Sequence, residues 1–205
     1  MGFYSDVIIP IFYDSSMDST KINEGRKSIL SRIADEEILE IGFGTGINLQ
    51  FYPGVVKKII GVDINKGMTK KAREKILESQ NKVELHTTGS ETLPFPDNRF
   101  DAAVSTYTLC SIKNITSALN EIYRVVKPGG KYYFLEHGLA DNLKTQKWQN
   151  RLNPIQNIWT GGCNLNRDIK SLINNAGFKF LELKNYYLKR DPKIVGYMYE
   201  GIAVK

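Results

Sequence analysis

Two periods of apolar spacing alternate along this chain. Short apolar runs near 37–41, 58–63, 82–86, 100–105 and 130–135 have the length of strands, and helical patterns near 46–52, 66–78 and 115–126 separate them. The last of these helices is the best marked. Ile115, Leu119, Ile122, Val125 and Val126 keep the spacing of one helix face, and Lys127-Pro128-Gly129-Gly130 ends it. A helix over 20–33, with Thr20 as N-cap and Glu24 in its first turns, leads into the first strand. A helix near 167–175 ends at Gly177, and strands near 178–184 and 196–204 complete the pattern. Such alternation argues for a parallel sheet with helices on both faces. Residues 138–165 interrupt it. They are polar and irregular, carry Trp148 and Trp159, and read as an inserted cap. There are no repeats, no low-complexity tract and no linker, so residues 1–205 read as one domain.

The first strand runs into the most informative stretch, Glu40-Ile41-Gly42-Phe43-Gly44-Thr45-Gly46. A strand that turns into a helix through closely spaced glycines builds a ligand cradle, because glycine tolerates positive φ and lets the backbone approach a ligand. The following helix start presents free N–H groups. A dinucleotide fold calls for G-x-G-x-x-G around a pyrophosphate. Here the spacing is G-x-G-x-G and an acid, Glu40, leads it. A carboxylate there repels a pyrophosphate and suits a cationic centre or an amino group. A second acid, Asp63, ends the apolar run Ile59-Ile60-Gly61-Val62 and is placed to accept both hydroxyls of a ribose.

Glu40–Gly46, Gly61-Val62-Asp63 and Leu93-Pro94-Phe95-Pro96-Asp97-Asn98-Arg99-Phe100-Asp101 together resemble the class I S-adenosylmethionine (SAM)-dependent methyltransferases over roughly residues 36–135. Leu49–Pro53, Thr106–Ser111, Gly161–Leu165 and Tyr199–Ala203 extend the likeness, over nearly the whole chain, to a subfamily of small-molecule methyltransferases that includes alkyl-thiol methyltransferases. The resemblance implies a Rossmann-like seven-stranded sheet of order 3-2-1-4-5-7-6 with the last strand antiparallel. It implies SAM as cofactor and S-adenosylhomocysteine as product. It assigns Glu40, Gly42, Phe43, Gly44 and Gly46 to the methionine part, Asp63 to the ribose, and Ile64 and Met68 to the adenine. Relatives often carry an Asp after the third strand for the adenine amino group. This chain has Gly89-Ser90-Glu91 there, so Ser90 and Glu91 take that place. Carbonyls at Thr106 hold the methionine amino group and Leu109 walls the cofactor.

His137, at the end of the fifth strand, is then the general base or an orienting residue of the pocket wall. Methyl transfer from a sulfonium needs no protein nucleophile, so Cys110 reads as a small buried hydrophobe and Cys163 as a packing residue of the cap. His86 has no assigned role. Residues 3–17, apolar and aromatic around Pro10, read as part of an N-terminal arm over 1–33. The arm is a lid with Tyr4, Phe12 or Tyr13 inward, a segment packed on the domain, or an interfacial membrane anchor. The absence of basic residues before Lys21 weighs against the anchor.

Composition narrows this picture. With 41% hydrophobic and 24% charged residues, the chain has the make-up of a soluble globular domain rather than a membrane-spanning one. Neither an export signal nor a spanning helix is apparent, so a cytoplasmic location is expected. Two cysteines and two histidines show no spacing typical of a zinc site, and no disulfide is expected in that compartment. The net charge of +6 gathers in residues 57–82. No aromatic residue is interleaved there for base stacking, so the cluster reads as a solvated helix face rather than a nucleic-acid surface. The chain is thus expected to methylate a small, lipophilic acceptor, a thiol sulfur among the candidates. A phospholipid or quinone-type acceptor, met through peripheral membrane contact, is the alternative. A SAM-binding protein without catalysis is a second alternative. An RNA methyltransferase is weaker still, because no Asn/Asp-Pro-Pro-aromatic motif is present.

Overall fold

A computed structural model describes residues 19–205; the lid expected over residues 3–17 lies outside the described residues. Seven strands form one sheet: β1 (Glu37–Ile41), β2 (Lys58–Val62), β3 (Lys82–His86), β4 (Phe100–Thr106), β5 (Val126–His137), β6 (Lys179–Tyr187) and β7 (Tyr197–Val204). Their order is β3-β2-β1-β4-β5-β7-β6. β1 pairs in parallel with β2 and β4, while β7 runs antiparallel to both β5 and β6. In the parallel half β1, β2 and β4 are buried on both faces, which is why they read as continuous apolar runs, whereas the edge strand β3 is partly exposed. Ile38 and Ile59 belong to the core on one face, and Leu39, Ile41 and Ile60 to the core on the other.

The helices among the described residues are α1 (Thr20–Leu30), α2 (Lys66–Glu78), α3 (Ile115–Val125), α4 (Leu143–Trp159) and α5 (Ile169–Asn175). α3 buries Ala118, Leu119, Ile122 and Val125, and each large apolar side chain so buried stabilises the fold by about 1.5–3 kcal/mol. Asn114 caps α3 through the backbone N–H of Ser117.

Four local readings are corrected. α1 starts after Ser19 and stops at Leu30, so Thr20 is its first residue rather than its cap. The helix expected over 46–52 is a single 3-10 turn, Ile47–Phe51, cut short by extended backbone at Tyr52 before Pro53. Val126-Lys127-Pro128-Gly129-Gly130 starts β5 rather than a loop, with an irregular register opposite β4 that accommodates the proline. The region read as an irregular cap contains the 17-residue helix α4. Its start is signalled by Asn142, which accepts from the N–H groups of Lys144 and Thr145. Its apolar residues face the wrong way for a core helix. Thr145 and Gln149 are buried, while Leu143, Ile155, Ile158 and Trp159 are exposed. That inversion, with Pro154 inside the helix, hid it from an amphipathic reading.

Candidate active site

At the carboxyl ends of β1 and β2 the chain makes its tightest bend. Gly42, Gly44 and Gly46 all hold positive φ (72°, 57° and 73°), a region that penalises any other residue. A Cβ on Gly42 would overlap the Thr108 side chain, so the close approach of this bend to the loop after β4 requires glycine. Asp63 ties the bend to β2. One of its oxygens accepts from the Gly44 N–H at 2.8 Å and the other from the Asn65 N–H at 2.7 Å. Burial pushes the Asp63 carboxyl up, and those two N–H groups pull it back.

Glu40 is fully buried. Asn48 donates to one of its oxygens at 2.7 Å and Tyr52 to the other at 2.8 Å. Burial pushes its carboxyl up to about 7, opposed by the Tyr52 and Asn48 hydrogen bonds and by the Arg26 charge. Asn48 also donates to the Thr106 hydroxyl at 3.0 Å, which links the ends of β1 and β4. Through these bonds Glu40 anchors the loop that carries the glycine bend. The Thr106 carbonyl accepts from the Thr108 hydroxyl. Arg26 of α1, unnoticed in the sequence, is buried with its guanidinium over the Tyr107 ring, 5.2 Å from its centre. Tyr107 itself has φ 53°, an uncommon conformation for an aromatic residue and a strained point in the loop after β4.

The residues expected around the adenine divide by burial. Met68 and Ser90 are buried, but Ile64 is 55% exposed beside Asp63. Glu91 accepts weakly from the Asn114 N–H. A large apolar side chain left bare next to a strand-end carboxylate and a glycine bend is the arrangement that an adenosyl group fills. The residues present fit SAM on that ground. Gly46, Leu49, Tyr52, Lys75 and Asn81 line a separate cleft of about 580 Å3. Pro53, Gly54, Val56 and Lys57, just before β2, also line it, and Asp63 does not.

The second half of the site lies at the ends of β4 and β5. Glu136 is fully buried and accepts from the Ser105 hydroxyl and from the N–H groups of Thr108 and Leu109. Burial is the main cause that pushes it up to about 8. Leu109, expected to wall the cofactor, is fully buried in the core beside this loop. His137 Nε2 lies 3.2 Å from Cys163 Sγ. Cys110 completes the group: the Sγ atoms of Cys110 and Cys163 and a ring nitrogen of His137 all lie within 4.8 Å of one another. The Cys163 hydrogen bond, with the nearby His137, holds the Cys110 thiol well below its ordinary value against the effect of burial. The Cys163 thiol is pushed up, chiefly by Cys110 and then by burial. Burial pulls the imidazole of His137 down, but the Cys110 charge and hydrogen bond together with the Glu136 charge outweigh it, and the net shift is upward. Cys110 is buried, as a small hydrophobe is expected to be, but its sulfur also stands close to Cys163 and His137, and the two cysteines form no disulfide. His86 stands apart at the sheet edge, 3.0 Å from Glu84.

The comparisons with known proteins agree with this geometry. Residues 39–134 match the methyltransferase domain family. The chain is 32% identical to human thiol S-methyltransferase TMT1A, over 82% of its own length and 70% of that protein's. It is 30% identical to the demethylmenaquinone methyltransferase of Oceanobacillus iheyensis, over 78% of each chain. In fold it resembles Phospholethanolamine N-methyltransferase 2 of Haemonchus contortus, solved with phosphomonomethylethanolamine and S-adenosylhomocysteine. That match has a TM-score of 0.73 at 18% identity and covers 96% of this chain and 57% of the other. A seven-stranded sheet with this strand order, a triple-glycine bend clasped by Asp63, and relatives matched over more than two thirds of their length lead to one conclusion: this chain belongs to the methyltransferase domain family and is a SAM-dependent methyltransferase.

Proposed function

We propose that this enzyme methylates the sulfur of a small, lipophilic thiol. The observation that carries the lipophilic class is the inverted helix α4. Its last turns carry Ile155, Ile158 and Trp159 outward just before the turn that holds Cys163. The likeness to TMT1A, named a thiol S-methyltransferase, supports sulfur as the acceptor atom. The likeness to the demethylmenaquinone methyltransferase favours a quinone ring as the second reading.

SAM supplies an electrophilic methyl group on a sulfonium centre. The chain's own residues then have four tasks. Asp63, held by the Gly44 and Asn65 N–H groups, receives the ribose hydroxyls. Ile64 and Met68 would hold the adenine, with Ser90 and Glu91 as its polar partners. Glu40, anchored by Asn48 and Tyr52, sets negative potential behind the methionine amino group, and the Thr106 carbonyl faces that group. Arg26, above Tyr107, suits the methionine carboxylate. Leu109 walls the methyl position, and the α4 cap over residues 138–165 excludes water. An arriving thiol must lose its proton, since the thiolate is the nucleophile. His137, at the end of β5, takes that proton or orients the sulfur. Alignment rather than covalent catalysis supplies the rate.

A panel of alkyl and aryl thiols, matched alcohols and a demethylated quinone, each incubated with methyl-labelled SAM, tests the reading. Label on thiol sulfur supports it. Label on quinone carbon, with thiols inert, replaces it with the second reading.

A further inference from the structure

We propose that Cys110, His137 and Cys163 form a three-ligand site for one thiophilic divalent metal ion, zinc above all, with the fourth position open to the sulfur of the acceptor. The clause about the acceptor rests on the thiol reading given above; the metal site itself does not.

The three groups come from three separate segments: the loop after β4, the end of β5, and the turn after α4. Two sulfurs and an imidazole are the donor set that zinc takes up in catalytic sites that keep one position free. Zinc–sulfur bonds of about 2.3 Å and zinc–nitrogen bonds of about 2.0–2.1 Å place tetrahedral ligand atoms about 3.5–3.8 Å apart. Here the Cys163 sulfur and the His137 nitrogen are 3.2 Å apart, and the whole trio fits within 4.8 Å. Small rotations of the side chains suffice to close on an ion. The donors are also shielded, with Cys110 buried and the other two half-buried.

The backbone around the trio is held to a degree that simple packing does not call for. Asn164 donates both its N–H (3.0 Å) and its side-chain amide (2.8 Å) to the Cys110 carbonyl, which pins the turn bearing Cys163 onto the loop bearing Cys110. Arg167 donates to the carbonyls of Leu109 and Ile112, on either side of Cys110. Gly162, at φ 122°, takes a conformation reserved for glycine immediately before Cys163, and its N–H is held by the Asn157 carbonyl. Asn157 in turn donates its side-chain amide to the Gly162 carbonyl at 2.9 Å. Two sulfurs that only filled space would need none of this alignment. Two thiolates balance the two charges of the ion, so the loaded site is neutral between Glu136 and Arg167.

With the ion bound, an entering thiol releases its proton to solvent and binds through sulfur as a thiolate. It then keeps a lone pair for the methyl group and no redox partner is involved. On this assignment His137 is a metal ligand, and coordination takes over the task of the general base.

The test uses the full chain, purified under reductant and stripped of metal, then titrated with Co2+. One equivalent should bring up sulfur-to-cobalt charge-transfer absorption with the visible bands of a tetrahedral ion, and Zn2+ should displace it. A lipophilic thiol added to the cobalt form should strengthen the charge-transfer band. C163S and H137A should weaken metal binding by at least about 100-fold while keeping S-adenosylhomocysteine affinity within about threefold. A wild-type protein that binds S-adenosylhomocysteine but develops no such band in excess Co2+ overturns the site, as does a band that persists in C110S/C163S. A band untouched by thiols, together with thiol methylation that survives metal removal, overturns the open-position assignment. A metal site present in a protein that methylates only the quinone would instead sink the thiol reading and leave the site standing.

Discussion

The two halves of the site are built by different means. The cofactor half is local. Glu40, the glycine bend and the 3-10 turn lie within a dozen residues, and Asp63 joins them from the adjacent strand through one backbone hydrogen bond. The acceptor half is assembled from Cys110, His137 and Cys163, which are far apart in the chain and meet only because β4 and β5 are neighbours and α4 folds back over them. Local construction gives a motif with fixed spacing. Distant construction gives a site whose chemistry can change while the cofactor end stays the same. If the halves are as separate as the geometry indicates, substitutions in one should leave the other's binding intact.

Gly42→Ala should break the cofactor half most severely. The new methyl overlaps the Thr108 side chain at a backbone φ that alanine avoids. A loss of about 3–5 kcal/mol in urea-unfolding stability is expected, with SAM binding abolished. An unchanged midpoint would mean that the bend can shift away from β4.

Glu40→Gln separates stability from binding within that half. The Glu40 carboxyl, raised by burial to about 7 from an ordinary 4.5, is favoured in its protonated form by folding. Its contribution is therefore fully present below pH 4.5 and is lost as pH rises through 7. The whole difference amounts to about 3 kcal/mol. Asp63 and Glu136, also raised by burial, act with the same sign. The glutamine protein should show a flatter stability profile between those two pH values and a weaker grip on SAM. A profile identical to that of the natural protein would show that Glu40 is not the titrating anchor.

Asp63→Asn should reduce SAM and S-adenosylhomocysteine affinity by about 10–100-fold, equivalent to about 1.4–2.8 kcal/mol. Calorimetry checks it. Acceptor KM, measured at saturating SAM, should stay the same. Arg167→Lys probes the opposite half. One of the carbonyls of Leu109 and Ile112 loses its donor, at a cost of about 1–2 kcal/mol, and the acceptor kcat/KM falls while SAM affinity holds. An equal fall in SAM affinity would contradict the separation of the halves. Trp159→Ser should have the smallest effect. This side chain is 77% exposed, so stability should change by under about 0.5 kcal/mol. Only the KM of a lipophilic acceptor should rise.

The same contrast explains what could be read from the sequence. The parallel core, the strand order implied by resemblance and the glycine bend were legible because each depends on neighbouring residues or on strand periodicity. Gly42, Gly44 and Gly46 take the positive φ values that their spacing implied. Asp63 lies beside the bend, as its strand-end position indicated. The partners that anchor Glu40 were not legible, because Asn48 and Tyr52 follow the bend and are ordinary polar residues in the sequence. Arg26 was missed because nothing in a helix marks one arginine among several for burial over Tyr107. The sulfur–imidazole group had no signature at all. Cys110 and Cys163 are 53 positions apart (163 − 110) and close only through the contacts of Asn164 and Arg167. Helix α4 was hidden by its reversed polarity, because apolar periodicity points to a core that this helix does not face.

The most direct test of the account is the fate of the methyl group. The purified protein, methyl-labelled SAM and an equimolar mixture of a lipophilic thiol, its alcohol analogue and a demethylated quinone are incubated together, and the products are separated. The account predicts label on the thiol sulfur, with S-adenosylhomocysteine released in equal amount. Label on the quinone carbon or the alcohol oxygen, with the thiol unmodified, would contradict it.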